Sequence, residues 1–181
     1  MDIRLAQKHL QQDSVVDGTG IRAVLWTQGC PHNCEGCHNP ETHDFKAGTI
    51  VNIEDIKKEI DELKTHDGIT FSGGDPMCQP EACTEIAKYA KEKGYNIWCY
   101  TGYLYENLNA KQLAFLEYID VLVDGKFDLS QRSLNLRFKG SKNQRVIDVP
   151  QSKLNGSVVI LEGFEGIKTY APIYNKPEGI F

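Results

Sequence analysis

Residues 29–40 read "GCPHNCEGCHNP", which places three cysteines and two histidines in twelve positions bounded by Gly and Pro. Cys30, Cys34 and Cys37 form a C-x3-C-x2-C array, and three thiolates from one short loop suit a metal ion or an iron–sulfur cluster. A structural tetrahedral zinc takes four ligands, and His32, His38, His43, Cys78 and Cys83 are all available as a fourth, so zinc stands as the alternative. The spacing weighs against it, because zinc ribbons bring two separated pairs of the C-x2-C type and this chain has no matching second pair. An iron–sulfur cube held by three cysteines leaves one iron with an open position, where substrate chemistry takes place. The loop therefore points to catalysis rather than to stabilising a fold. Cys78, Cys83 and Cys99 fall singly in or beside predicted helices and a strand, and read as buried structural thiols.

Composition narrows the class. With 181 residues, 40% of them hydrophobic, the chain is long enough for one ordinary core, and a single domain over 1–181 is expected. Twenty Lys and Arg stand against 25 Asp and Glu, a net charge of −5, and no basic stripe suggests a nucleic-acid partner. The N-terminus "MDIRLAQKHL" breaks its apolar residues with charge, and no apolar run approaches bilayer-spanning length. A cytoplasmic protein without membrane or nucleic-acid partners is the expectation. In that compartment six cysteines bind metal, do redox chemistry or sit buried, rather than forming a disulfide framework.

Elements must hold the loop. "IRAVLWTQ" (21–28) is an apolar, β-rich run between "DGTG" and Gly29, which predicts a buried strand with the cysteines just past its C-terminal end. In "NIEDIKKEIDELK", Ile53, Ile56, Ile60 and Leu63 recur at helical spacing behind Asn52 and Asp55, which are set as an N-terminal cap. Next come a strand "GITFSGGDP" ending in a glycine pair and a helix "PEACTEIAKYAKEKG", with Pro80 in its first turn and Gly94 as its stop. "YNIWCYTGY" predicts a third strand, "NAKQLAFLEY" a third helix and "IDVLVDGKF" a fourth strand ending at Asp124 and Lys126. "LRFKGSKNQRVIDVP" and "GSVVILEG" read as strands and loops, and the segment from about 150 to 181 as irregular chain. Strands alternating with helices imply an α/β fold with a mostly parallel sheet whose ligands bind beyond the strands' carboxyl ends. A closed (βα)8 barrel takes about 250 residues, so an open or partial (βα) barrel is expected.

C-x3-C-x2-C after a first strand, followed by "SGGDP" after the second, resembles the radical S-adenosylmethionine (SAM) superfamily, with Asp75 where Glu is commoner. Further blocks between about residues 16 and 148, "VDGTGIRAVLWTQGCPHNCEGCHNPETHDF", "WCYTGYLYE", "DVLVDGKFD" and "GSKNQRVID", are similar to the branch that activates anaerobic ribonucleoside-triphosphate reductase. The resemblance implies a [4Fe-4S] cluster on Cys30, Cys34 and Cys37 that cleaves SAM, with the resulting radical passed to a glycine of the reductase's large subunit and a flavodoxin-like protein as electron donor. By the same resemblance Gly36, Cys37 and His38 contact SAM at its adenine end, while Gly73, Gly74 and Asp75 hold the methionyl end. Glycines there permit close backbone approach, and a carboxylate suits an amino donor. Thr101, Asp124 and Lys126 are secondary candidates for SAM, with an exposed ion pair as the other reading of Asp124 and Lys126. His38 is open between a cofactor contact and a loop residue capping its own turn. His32 and His43 read as polar loop residues and His66 as plain surface. Three other functions remain: activation of a different glycyl radical enzyme such as pyruvate formate-lyase, radical chemistry on a small molecule, and a zinc-stabilised module without catalysis.

Overall fold

The structure, a computed structural model, describes residues 1–164. Its strands and helices run in the order β1 (Asp2–Leu5), β2 (Gln11–Ser14), β3 (Arg22–Thr27), β4 (Thr49–Asn52), α1 (Ile53–Glu62), β5 (Gly68–Gly73) and α2 (Pro80–Glu92). There follow β6 (Asn96–Tyr100), α3 (Ala110–Leu116), β7 (Val121–Asp124), β8 (Arg145–Asp148) and α4 (Val149–Asn155).

Strands β3, β5, β6 and β7 lie side by side and parallel, and each crossover between successive members carries a helix. Their sequences are continuous apolar runs because both faces are covered, as Ala23, Val24, Leu25, Ile69, Phe71, Leu122 and Val123 show, all fully buried. The helices form by local rules. The Asn52 side chain caps α1 by accepting from Glu54 N at 3.0 Å, and Ile53, Ile56 and Ile60 turn to the sheet. Pro80 opens α2, Gly94 ends it at φ +88°, and Asn109 with Gln112 forms a reciprocal capping box on α3. One face of the sheet packs against α1 and α2. On the other a smaller cluster of Trp98, Val121, Val123 and Val146 is covered by Tyr100, Phe138 and Phe164. The buried Arg22 closes the strands' amino end, donating to Thr70 Oγ1 and to the carbonyls of Ile69 and Asn96.

The sheet order is β4-β1-β3-β5-β6-β7-β8, with β2 also paired to β3, and the ends do not meet, so the barrel is partial. The edges β1, β2, β4 and β8 pair antiparallel. Three of these edge strands precede or interrupt the pattern read from sequence. All three are only four residues long; "QQDS" and "TIVN" are mostly exposed, and "DIRL" alternates with Ile3 and Leu5 buried but over too short a run to stand out. "GSVVILEG" forms no strand, only a single bridge between Ile160 and Ile147. Within the segment expected to be irregular, α4 ends at Gly156 (φ +66°), and residues 165–181 lie outside the described part.

Candidate functional site

The parallel register brings the carboxyl ends of β3, β5, β6 and β7 to one edge, with Thr27 opposite Gly73, Phe71 opposite Cys99 and Tyr100 opposite Val123. The loops that leave this edge enclose a cavity of about 380 Å³, within the usual range of small-molecule sites. Cys30, Cys34 and Cys37 line it together with His38, Gly73, Gly74 and Thr101. All three loop thiols are free and half-buried. Gly36, Asp75, Asp124 and Lys126 are absent from the lining.

The glycine pair has a reason inside the protein. Gly73 sits at φ +102°, and a Cβ there would lie 2.5 Å from the Thr27 carbonyl oxygen; a Cβ on Gly74 would lie 2.5 Å from that of Gly29. In the space a side chain would fill, Gly74 N donates to Thr27 O (2.8 Å) and Asp75 N to Gly29 O (2.9 Å), so the "GGD" turn is bonded to the stem of the cysteine loop.

Asp75 is fully buried, and its carboxylate is surrounded by donors. Oδ1 accepts from Met77 N and Thr101 Oγ1, both at 2.9 Å, and Oδ2 from His32 Nε2 at 2.7 Å and Gly102 N at 3.0 Å. Four donors use the capacity of a carboxylate. Its oxygens thus bind three loops together, those after β3, β5 and β6, and neither is turned to the cavity. Thr101 lines the cavity, yet its hydroxyl is given to Asp75. Asp124 is likewise fully buried, accepting from Arg145 Nε and Nη2 and from Tyr105 N. Lys126 is exposed in a neighbouring groove with Tyr103, Asn107 and Asn143. Gly36 (φ +69°) makes room for Leu129, whose Cδ1 would lie 2.9 Å from a Cβ at that position. The His38 ring packs against Phe127, centroids 5.0 Å apart.

The donor set fits a cluster. Burial pushes the Cys30 thiol up, with Asp75 and the other two thiols adding to the effect, so a thiolate here is costly until a positive metal centre compensates it. Among the described residues no three His, Cys, Asp or Glu side chains converge on one metal-ion position. The loop thiols instead stand around one cavity, as a cube bound through separate irons requires. Cys83 and Cys99 are fully buried, as expected of structural thiols; Cys78 is only half-buried, and burial with the nearby Asp75 raises its thiol to about 12.

A family profile described as a 4Fe-4S single cluster domain matches residues 16–147. An anaerobic ribonucleoside-triphosphate reductase-activating protein of Haemophilus influenzae is 37% identical over 138 residues, 72% of this chain and 89% of that one. Its namesake in Vibrio cholerae is 39% identical over the same shares, and that of Enterobacteria phage T4 is 36% identical over 72% and 86%. The chain belongs to this family of activating proteins. A solved structure, QueE from Escherichia coli, aligns at a TM-score of 0.49 and 14% identity over 68% of this chain and 70% of that one, too slight a likeness to carry weight.

In this activating-protein chain two histidines differ from their sequence reading. His32 is no ordinary loop residue: its side chain is 7% exposed, hydrogen-bonded to Asp75, edge-on to Tyr103 at 4.6 Å and pressed on Gly102, where a Cβ would lie 2.4 Å from the ring. His66 is not surface: its side chain is 4% exposed, Nε2 accepts from Asp13 N, and Nδ1 has no partner among the described residues. Asp17, Lys139 and Gln144 also line the cavity and were not singled out from sequence. A charge-by-charge reading of "RFKGSKNQR" offers the only signal for Lys139.

Proposed function

We propose that this protein reductively cleaves SAM at a [4Fe-4S] cluster and generates the glycyl radical on an anaerobic ribonucleoside-triphosphate reductase. The observation that carries this reading is that Cys30, Cys34 and Cys37 line one cavity with Gly73 and Gly74, in a chain whose relatives bear that name. When bound, the cluster supplies the electron that splits SAM into methionine and a 5′-deoxyadenosyl radical, which takes a hydrogen atom from a glycine Cα of the reductase. Cys30, Cys34 and Cys37 hold the cluster. Gly36 and His38 serve the adenine end from the cysteine loop. The backbone of Gly73 and Gly74 meets the methionyl end, while Asp75 and Thr101 act from behind it by fixing the turn. Lys139, as the lysine lining the cavity, suits the SAM carboxylate better than Lys126 does. Asp124 acts indirectly, by anchoring Arg145 at the root of the loop that carries Lys139. The mostly apolar cover of Tyr100, Phe127 and Phe138 limits water around a reactive intermediate. A flavodoxin-like donor supplies the electron from outside.

The test is anaerobic incubation of the reconstituted protein with the cognate reductase, SAM and reductant, followed by electron paramagnetic resonance. A glycyl doublet on the reductase is expected, and its absence with an intact cluster would overturn the reading.

A further inference from the structure

The antiparallel pair β7–β8 is joined by an excursion of residues 125–144 that forms the cavity wall opposite the glycine turn. Mostly uncharged side chains hold this loop in shape. Gln144 Oε1 accepts from Gly140 N and Ser141 N, and its Nε2 donates to Gly125 O. Asn143 Nδ2 donates to Lys126 O, and Ser141 Oγ accepts from Asp128 N. Asp128, the loop's one carboxylate, is taken up by Ser130 and Gln131.

What remains is charge that meets no carboxylate among the described residues, although Lys139 Nζ donates to Gln144 O at 3.0 Å and the Arg137 guanidinium lies over Phe138 and Phe164. Lys126, Arg132, Arg137, Lys139 and Lys142 set against Asp128 make the loop +4 in a chain of −5, leaving −9 elsewhere. None of the five pairs with a carboxylate among the described residues. Elsewhere among the described residues Lys57, Lys58, Lys91, Lys93, Lys111 and Lys153 each meet an acid, and the cations that meet none, Arg4, Lys8, Arg22, Lys46, Lys64 and Lys88, are spread along the chain rather than gathered in one loop. Two leucines stand among the loop's cations, Leu134 at 84% exposed and Leu129 at 41%, and Leu129 reaches the cysteine loop at Gly36. Cations interspersed with exposed apolar side chains on a preorganised loop suit a protein surface, and they steer an acidic one.

We infer that the loop 125–144 is the docking surface for an acidic stretch of the reductase beside its glycine-bearing segment. This rests on the activating reading, which requires the partner's backbone to enter the cavity this loop rims. The loop attracts the partner at range and its leucines seat it.

The experiment compares wild type, R132E/K142E and R132Q/K142Q, each cluster-loaded, in stopped-flow association with the cognate reductase across a salt series. At low ionic strength the glutamate pair is expected to associate about tenfold or more slowly, the glutamine pair to fall between, and the differences to shrink at high salt. Reductase-independent SAM cleavage with dithionite is expected to be unchanged, because neither exposed residue lines the cavity. Association of the glutamate pair within about twofold of wild type would overturn the inference. So would normal association with slowed reduction by a flavodoxin-like donor, which would give the surface to that donor. Failure of the activating reading appears separately, as a wild-type protein that yields no glycyl doublet.

Discussion

Two walls of one cavity are built on opposite principles. On one side the cysteine loop, the "GGD" turn and the "YTG" turn converge on the buried Asp75 carboxylate, and nearly every polar group is committed: His32, Thr101, Gly102 N and Met77 N all donate to it. On the other, residues 125–144 take their shape mainly from amides and hydroxyls, with Asp128 and Lys139 bonded within the loop, while Lys126, Arg132, Arg137 and Lys142 stay exposed. Charge buried and saturated fixes a position, while charge exposed and unpaired is free to act on something else. The first wall must hold ligands in place; the second is free to meet a partner.

The comparison breaks most visibly at the cysteines. Cys34→Ala is expected to abolish SAM cleavage, because a methyl group cannot replace a thiolate; full activity with an intact cube, read by visible absorption, would contradict the ligand assignment. Next comes the staple. Asp75→Ala leaves His32 and the Gly102 N–H without their acceptor in the interior, and is expected to lower unfolding stability by about 3 kcal/mol and to reduce cluster occupancy. Urea unfolding of the cluster-free protein and iron content after reconstitution check it. A direct SAM contact at Asp75 would instead weaken SAM binding with cluster absorbance retained, so the two pictures give opposite results. His32→Ala is expected to cost about 1–3 kcal/mol, with His32→Gln recovering part because an amide can still donate. By contrast R132E/K142E should change stability by no more than about 0.5 kcal/mol, since those side chains hold nothing.

Another small effect lies at the root of the second wall. The Arg145 guanidinium holds the Glu106 carboxyl down at about 2. A depressed folded-state value contributes stability above the ordinary glutamate pKa of about 4.3, and that stability is lost as pH falls toward 2. With Glu106 53% exposed, screening limits it to less than about 1 kcal/mol. Glu106→Gln should flatten that part of the stability–pH profile.

Much of the first wall was legible. The C-x3-C-x2-C spacing, the strand before it and the glycine pair after the next strand survive any local context, because each is a short motif with its own backbone demand. His32 was not, because a histidine among Gly, Pro and Asn carries no periodicity, and its burial comes from Asp75 and from Gly102, 70 residues away. Asp75 was noticed but given an outward role, since no sequence pattern tells which way a carboxylate after two glycines turns. The cationic loop was hidden by the chain's overall acidity. Its five cations are spread over residues 126–142, and only the β7–β8 pairing folds that segment against the cavity.

The central claim, that the cavity delivers its radical directly to a partner's backbone glycine, is tested by isotope transfer. Reductase prepared with glycine deuterated at Cα is incubated anaerobically with the cluster-loaded protein, SAM and reductant, and the 5′-deoxyadenosine is analysed by mass spectrometry. Deuterium in the 5′-deoxyadenosine, appearing in step with the glycyl doublet, is the predicted result. Unlabelled 5′-deoxyadenosine formed alongside a full doublet would contradict it.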